Sequence, residues 1–301
     1  MWPSIKTEGR LRYDKLVQMR TFLLYTIPFF LLAFPWNNLA AAAAPLPQSG
    51  RVGCPHCKND GSEISQSLQR ADAFHASLKT KEALKELLAV LKLDPDNHEA
   101  LSKMARVYID FGDTIPESTP DWQEKKLQHY ATAEEYARKA VKADPNGTWG
   151  HFYLAASLGK IAMHSPVSKQ IDLAKEIQEE AEKAIALDPN NGFAYHVYGV
   201  WQRRTAEIGQ MKRLLAAAFL WRSVPQGNME KSVEYLKKAI SLNPRVILHR
   251  LELAKTYMAI GQGQLARSSL KTALELPIQF SDDVSNKKEA QQLLEEIKDR
   301  P

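Results

Sequence analysis

The chain has 301 residues, 44% hydrophobic and 25% charged, which is enough apolar content for a sizeable core in one or two domains. Its formal charge of +5 gathers at the start, where Lys6, Arg10, Arg12, Lys15 and Arg20 face only Glu8 and Asp14. Past Ala44 the balance is close to neutral, so the composition gives no reason to expect a nucleic-acid partner.

The first element in chain order is a basic lead and signal peptide over 1–44. Arg20 precedes an uncharged apolar run from Phe22 to Trp36, and the alanines 40–44 then supply A-x-A cleavage sites. The run is shorter than the roughly 20 residues a spanning helix needs, and Pro28 and Pro35 interrupt it. Cleavage is therefore expected rather than an uncleaved anchor. An exported protein of the periplasm or cell envelope is the simplest destination, and Met19 is an alternative start.

A linker over 45–62 carries the only two cysteines, in Cys54-Pro55-His56-Cys57. Such a pair resembles the redox motif of thioredoxin-like oxidoreductases, but that chemistry needs a βαβ setting and no strand pattern surrounds it. Covalent haem attachment needs His where Lys58 stands, and a zinc site needs about four ligands. The expectation is a disulfide between Cys54 and Cys57 and no cofactor, with a redox or metal role as the lesser alternative.

From 63 to 300 the chain is helical in pattern and punctuated four times: Asp94-Pro95, Asp144-Pro145, Asp188-Pro189 and Asn243-Pro244 each close an Ala-rich, Lys/Glu-rich run. Each proline is taken as the stop of a helical pair of about 34 residues, with small residues expected near positions 8, 20 and 27, where the two helices touch. Ala71 and Ala83 fall there in the first unit, Ala105, Ala133 and Ala140 in the second, Ala155 and Ala184 in the third, Gly199 and Ala239 in the fourth, and Ala254, Ala266 and Ala273 in the fifth. Ile177 and Ser232 depart from the rule at position 20. This is the pattern of the tetratricopeptide repeat. It predicts an all-α, right-handed superhelical solenoid of about five repeats, with Val284–Arg300 as a C-terminal capping helix. Solenoids of this kind usually bind other molecules and seldom catalyse, so no enzyme is expected.

The prolines lie 50, 44 and 55 residues apart, which leaves insertions in the second, third and fourth units. Asp113–Lys126 reads as a polar loop, and Ile161–Gln170 as a helix extension with a turn. Met211–Trp221, apolar except for Lys212 and Arg213, reads as an extra helix. Two roles stay open for it: completing the core or groove, or lying on a membrane surface with cations at its ends.

The segments around these insertions are distinctive. Tyr195-His196-Val197-Tyr198-Gly199-Val200-Trp201, Val224-Pro225-Gln226-Gly227-Asn228 and His249-Arg250-Leu251-Glu252-Leu253-Ala254-Lys255-Thr256-Tyr257 together resemble the regulator of microtubule dynamics family, over about Ile64–Ile297. The resemblance implies an all-helical, protein-binding fold with no catalytic residues to carry over. Combined with the leader, it suggests an exported bacterial member.

In such solenoids the first helix of each pair lines the inner groove. Those positions hold Arg106, Trp149, Phe152, Lys160, Phe193, His196, Arg203, Arg204, Leu251, Lys255 and Met258. With Glu99 and Asp110 as the visible opposing charges, the surface reads as cationic and aromatic. It suits an extended or helical segment of another protein bearing acidic and aromatic side chains.

Overall fold

The structure, a computed structural model, describes residues 57–209 and 225–298. The leader, the side chains of the Cys54/Cys57 motif and the apolar Met211–Trp221 insertion lie outside the described residues. Among these residues there are eleven helices and no strand. They are α1 (Cys57–Ala76), α2 (Thr80–Leu93), α3 (His98–Asp113), α4 (Trp122–Ala143), α5 (Thr148–Met163), α6 (Val167–Leu187), α7 (Gly192–Ala206), α8 (Met229–Leu242), α9 (Ile247–Ala259), α10 (Gly263–Glu275) and α11 (Asp283–Glu296). None of these helices is long and apolar enough to cross a membrane.

The four prolines act through the residue before them. Steric conflict with the proline ring drives that residue out of the helical region, and Asp94, Asp144, Asp188 and Asn243 take nearly the same extended conformation, with φ between −130° and −141°. The Asp144 and Asp188 carboxylates then accept the backbone N–H two residues on. Asn97, Asn191 and Asn228 cap α3, α7 and α8 by accepting an N–H of the first turn, an interaction that contributes about 1 kcal/mol. Inside a pair, the chain reverses through a left-handed residue, Gly261 between α9 and α10 and Leu78 between α1 and α2.

Helices pack in sequence order, each first helix against its own second helix and, from α3 onward, against the next first helix. The chain α3–α5–α7–α9–α11 thus forms an inner layer, with α4, α6, α8 and α10 outside it. The small positions lie at the seams: Ala83, Ala133, Ala155, Ala184, Ala239, Ala254, Ala266 and Ala273 are fully buried. Any side chain at Gly199 would come within 2.8 Å of Leu236. Of the two departures at position 20, Ile177 fills core space, while the Ser232 hydroxyl shares a buried hydrogen bond with Thr256 across to α9.

The first two insertions are absorbed mainly by lengthening second helices. The polar loop expected over Asp113–Lys126 is shorter than that, since α4 already begins at Trp122 and runs 22 residues. The turn after Met163 leads straight into the 21-residue α6. Ala290 and Ile297 of the C-terminal helical segment are buried against the last pair, as a capping helix requires.

Candidate groove on the inner layer

The inner layer encloses a groove of about 430 Å³ over α5 and α7, bordered by α3, α9 and the loop before α11. Its wall is aromatic because successive turns of α5 and the start of α7 aim their rings the same way. Trp149 meets Phe152 edge-on at 5.7 Å, Phe152 lies 6.0 Å from Phe193, and Phe193 meets Phe280 edge-on at 5.9 Å. Offset and edge contacts of this kind contribute about 0.5–1.5 kcal/mol each beyond burial. Trp149 keeps 44% of its surface exposed, so it offers a large apolar face to an incoming group.

Beside Phe193, two histidines stack at 4.8 Å, His196 on α7 and His249 on α9. Their Nδ1 atoms are 3.1 Å apart, so one ring donates to the other. Burial pulls His196 down to about 4 and His249 well below its ordinary value, so both rings are neutral at pH 7. The buried Nε2 of His249 has no partner among the described residues.

Two of the charged clusters in the inner layer tie neighbouring helices together. At α7–α9–α11 the buried Glu252 accepts from Arg203 and from Lys255 at 2.8 Å, and Lys255 reaches Glu289 at 2.8 Å. Burial alone would raise the Glu252 carboxyl, but Lys255 and Arg203 outweigh it and hold it near 2. At the other end Lys160 donates to both oxygens of Asp113 at 2.7 and 2.6 Å, and the Tyr130 hydroxyl donates to the same carboxylate at 2.7 Å. Burial would lower the Lys160 ammonium, yet Asp113 and Asp282 keep it above its ordinary value. Burial pushes the Asp282 carboxyl up to about 6, with Lys160 working against that shift and Asp113 adding to it.

Of the residues read as inward-facing, Arg106, Trp149, Phe152, Lys160, Phe193, His196 and Arg204 do line the groove. Four do not. Leu251 is fully buried and Met258 packs on the C-terminal core, because α11 covers that stretch of α9. Arg203 is 4% exposed and Lys255 is held between two carboxylates, so both are consumed by the Glu252 cluster.

The cations of this surface each have a carboxylate nearby within the chain. Arg106 pairs with Asp72, Lys160 with Asp113, and Arg204 approaches Glu207 at 3.9 Å. The balancing carboxylates come from α1, from the last residue of α3 and from Glu207 just past α7, places that counting groove positions along first helices does not reach. Sequence reasoning also missed His249, Phe280 and Asp282. His249 lies one register step off the groove positions, and the loop residues belong to no repeat.

A family model described as Regulator of microtubule dynamics protein 1-3 matches residues 67–298. Among curated proteins the chain is similar to Regulator of microtubule dynamics protein 1 of Bos taurus, 29% identical over 239 residues that cover 79% of this chain and 73% of the relative. It is likewise similar to the Pongo abelii protein of that name, 30% identical over 233 residues, 77% of this chain and 72% of the relative. Among solved structures it is similar to a thermophilic tetratricopeptide-repeat protein of Thermus thermophilus, with TM-score 0.53 and 18% identity over 77% of this chain and 98% of that one. That identity speaks for the fold alone. The curated relatives named here are mammalian, so the bacterial setting read from the leader draws no support from them.

Proposed function

The chain belongs to the regulator of microtubule dynamics family, and from that premise we propose that it is a non-enzymatic scaffold holding a segment of another protein in its inner groove. The observation that carries this reading is the aromatic wall of Trp149, Phe152 and Phe193, with Trp149 half open to solvent in an otherwise packed layer. A large apolar ring on a rigid helix loses little entropy on contact and makes a good anchor. Arg204, 51% exposed at its side chain, stands at the rim as the cation freest to meet a partner's carboxylate. Placement in a cell envelope rests on the leader alone.

The test is site-specific photo-crosslinking in cells with benzoylphenylalanine in place of Trp149, and with Leu265 on the outer helix α10 as the control, since that residue is also about half exposed. Crosslinks from position 149 to a defined segment of one protein, absent from position 265 and reduced by Arg204→Glu, support the groove. Polymerised tubulin is included as one purified bait because of the relatives' printed name. Identical products from both positions, or none from 149, overturn the reading.

A further inference from the structure

The groove already holds a piece of its own chain. After α10 ends, residues 277–282 turn inward instead of continuing along the outer layer. Phe280 sets its ring against Phe193, and Phe280 and Asp282 become part of the groove lining. Ser281 donates to Asp110 on α3 at 3.3 Å, a contact between residues 171 positions apart. Asp282 sits beside the Lys160–Asp113 pair. The base of the loop is fixed by Asp283, whose Oδ2 accepts the N–H groups of Gln279 and Phe280 at 2.8 and 2.9 Å.

The loop is seated lightly compared with the helix that follows it. Phe280 is only half-buried, Ile278 is 49% exposed, and the bond to Asp110 is long. By contrast α11 and its end are anchored by Ala290 and Ile297, nearly inaccessible, and by Lys287 and Arg267 donating to main-chain carbonyls across the joint. Few buried contacts on the loop and many on the helix let the loop lift while the cap stays folded.

We propose that loop 277–282 is a built-in occupant of the groove, displaced by a partner segment that carries an aromatic residue followed two positions later by a carboxylate. This deepens the scaffold reading and rests on it. The loop itself displays the chemistry the groove accepts: an aromatic ring for the Trp149–Phe193 wall, and a carboxylate two residues on for Lys160. When the loop lifts, the Asp282 side chain turns away from Lys160 while its carbonyl keeps the first turn of α11. Lys160 then keeps only Asp113, so the vacated site gains one unit of positive charge for an incoming acid to neutralise. A tethered occupant competes at an effective concentration of about millimolar, so it scales down the apparent affinity of every partner to the fraction of time the groove is open.

The probe is a fluorescein-labelled peptide with the sequence of residues 276–285, followed by anisotropy on the full chain. The peptide should bind Phe280→Ala/Ser281→Ala about tenfold or more tightly than wild type, and the same peptide with its phenylalanine changed to alanine should bind neither. A second arm removes the native thiols (Cys54→Ser, Cys57→Ser) and locks the loop with Asp110→Cys/Ser281→Cys. The oxidised lock should lose peptide binding by about tenfold, and reduction of that same sample should restore it. Circular dichroism melts accompany each variant. If the loop-freed variant does not fold, the lock decides alone, because its two states are one protein.

Equal binding to wild type and freed variant, or binding indifferent to the lock, overturns the internal occupant. If photo-crosslinking from position 149 succeeds while the peptide arms fail, only the loop proposal falls. If crosslinking fails too, the scaffold reading falls with it.

Discussion

The two charged clusters around Glu252 and Lys160 both set cations against carboxylates in the inner layer and end up opposite in character. Around Glu252 one buried carboxylate serves two cations, and the second of these is shared with Glu289, so charges alternate across three helices. Around Lys160 one ammonium pairs with Asp113 and acts on a second carboxyl, Asp282, only through its field, and that second group is pushed up to about 6 instead of being held down. The ratio of cations to carboxylates decides which cluster clamps helices together and which leaves a group ready to come away. The first ties α7, α9 and α11. The second ties α3 to α5 firmly and the loop before α11 only loosely.

Breaking the clamp should have the largest effect on stability. Glu252→Ala takes from the buried Arg203 its buried carboxylate and leaves it only the more exposed Glu207 at 3.3 Å, a change that costs up to about 3–5 kcal/mol, read as a lower midpoint in urea unfolding. The double change Arg203→Met/Glu252→Met removes both charges and fills the space, and it should recover most of that loss. A double variant as unstable as the single one would show that the pair matters for more than avoiding an orphan charge.

A smaller effect comes from below the second cluster. Gly112 has no side chain because a Cβ there would sit 2.4 Å from the Tyr130 ring, the ring whose hydroxyl holds Asp113. Gly112→Ala should push that ring aside and cost about 1–3 kcal/mol in unfolding experiments, as overpacking does. The loss should be largely absent in a Tyr130→Leu background, where the shorter side chain leaves room. An additive loss there would mean the crowding lies elsewhere.

The contrast between the clusters also explains what could be read from the chain alone. Repeat number, helix ends and seam positions follow from Pro95, Pro145, Pro189 and Pro244 and from alanines such as Ala133 and Ala273, because helix termination and close approach are local or short-range constraints. Register likewise placed Trp149, Phe152 and Phe193 on one face of the inner layer. It failed at Leu251 and Met258, where a neighbouring helix covers a face that is open in earlier repeats. It also failed on charge, because Asp72, Asp113 and Asp282 reach their cations from outside the positions that were counted. A carboxylate that acts across 34 or 47 residues, or from a loop outside the repeats, leaves no periodic signal.

The smallest prediction separates the clusters by sign. Glu252 has a folded value near 2, below its ordinary 4.5, so its share of stability is present above about 4.5 and fades as pH falls toward 2. Asp282 runs the other way. Its value rises from 3.8 unfolded to about 6 folded, so the folded state holds that proton more tightly, and stability is lost as pH rises from about 4 to 6. Lys160, Asp113, Asp283, Asn286 and the Tyr130 hydroxyl are the polar groups around it, and among them only Lys160 brings a positive charge. Because Asp282 is only half-buried, solvent screening keeps the effect below about 1 kcal/mol. Asp282→Asn removes the titration. Wild type minus variant, measured by urea midpoints from pH 4 to 7, should fall across that window and then level off. A flat difference would mean that the carboxyl titrates equally in the folded and unfolded chain, and that Lys160 fully compensates for its burial.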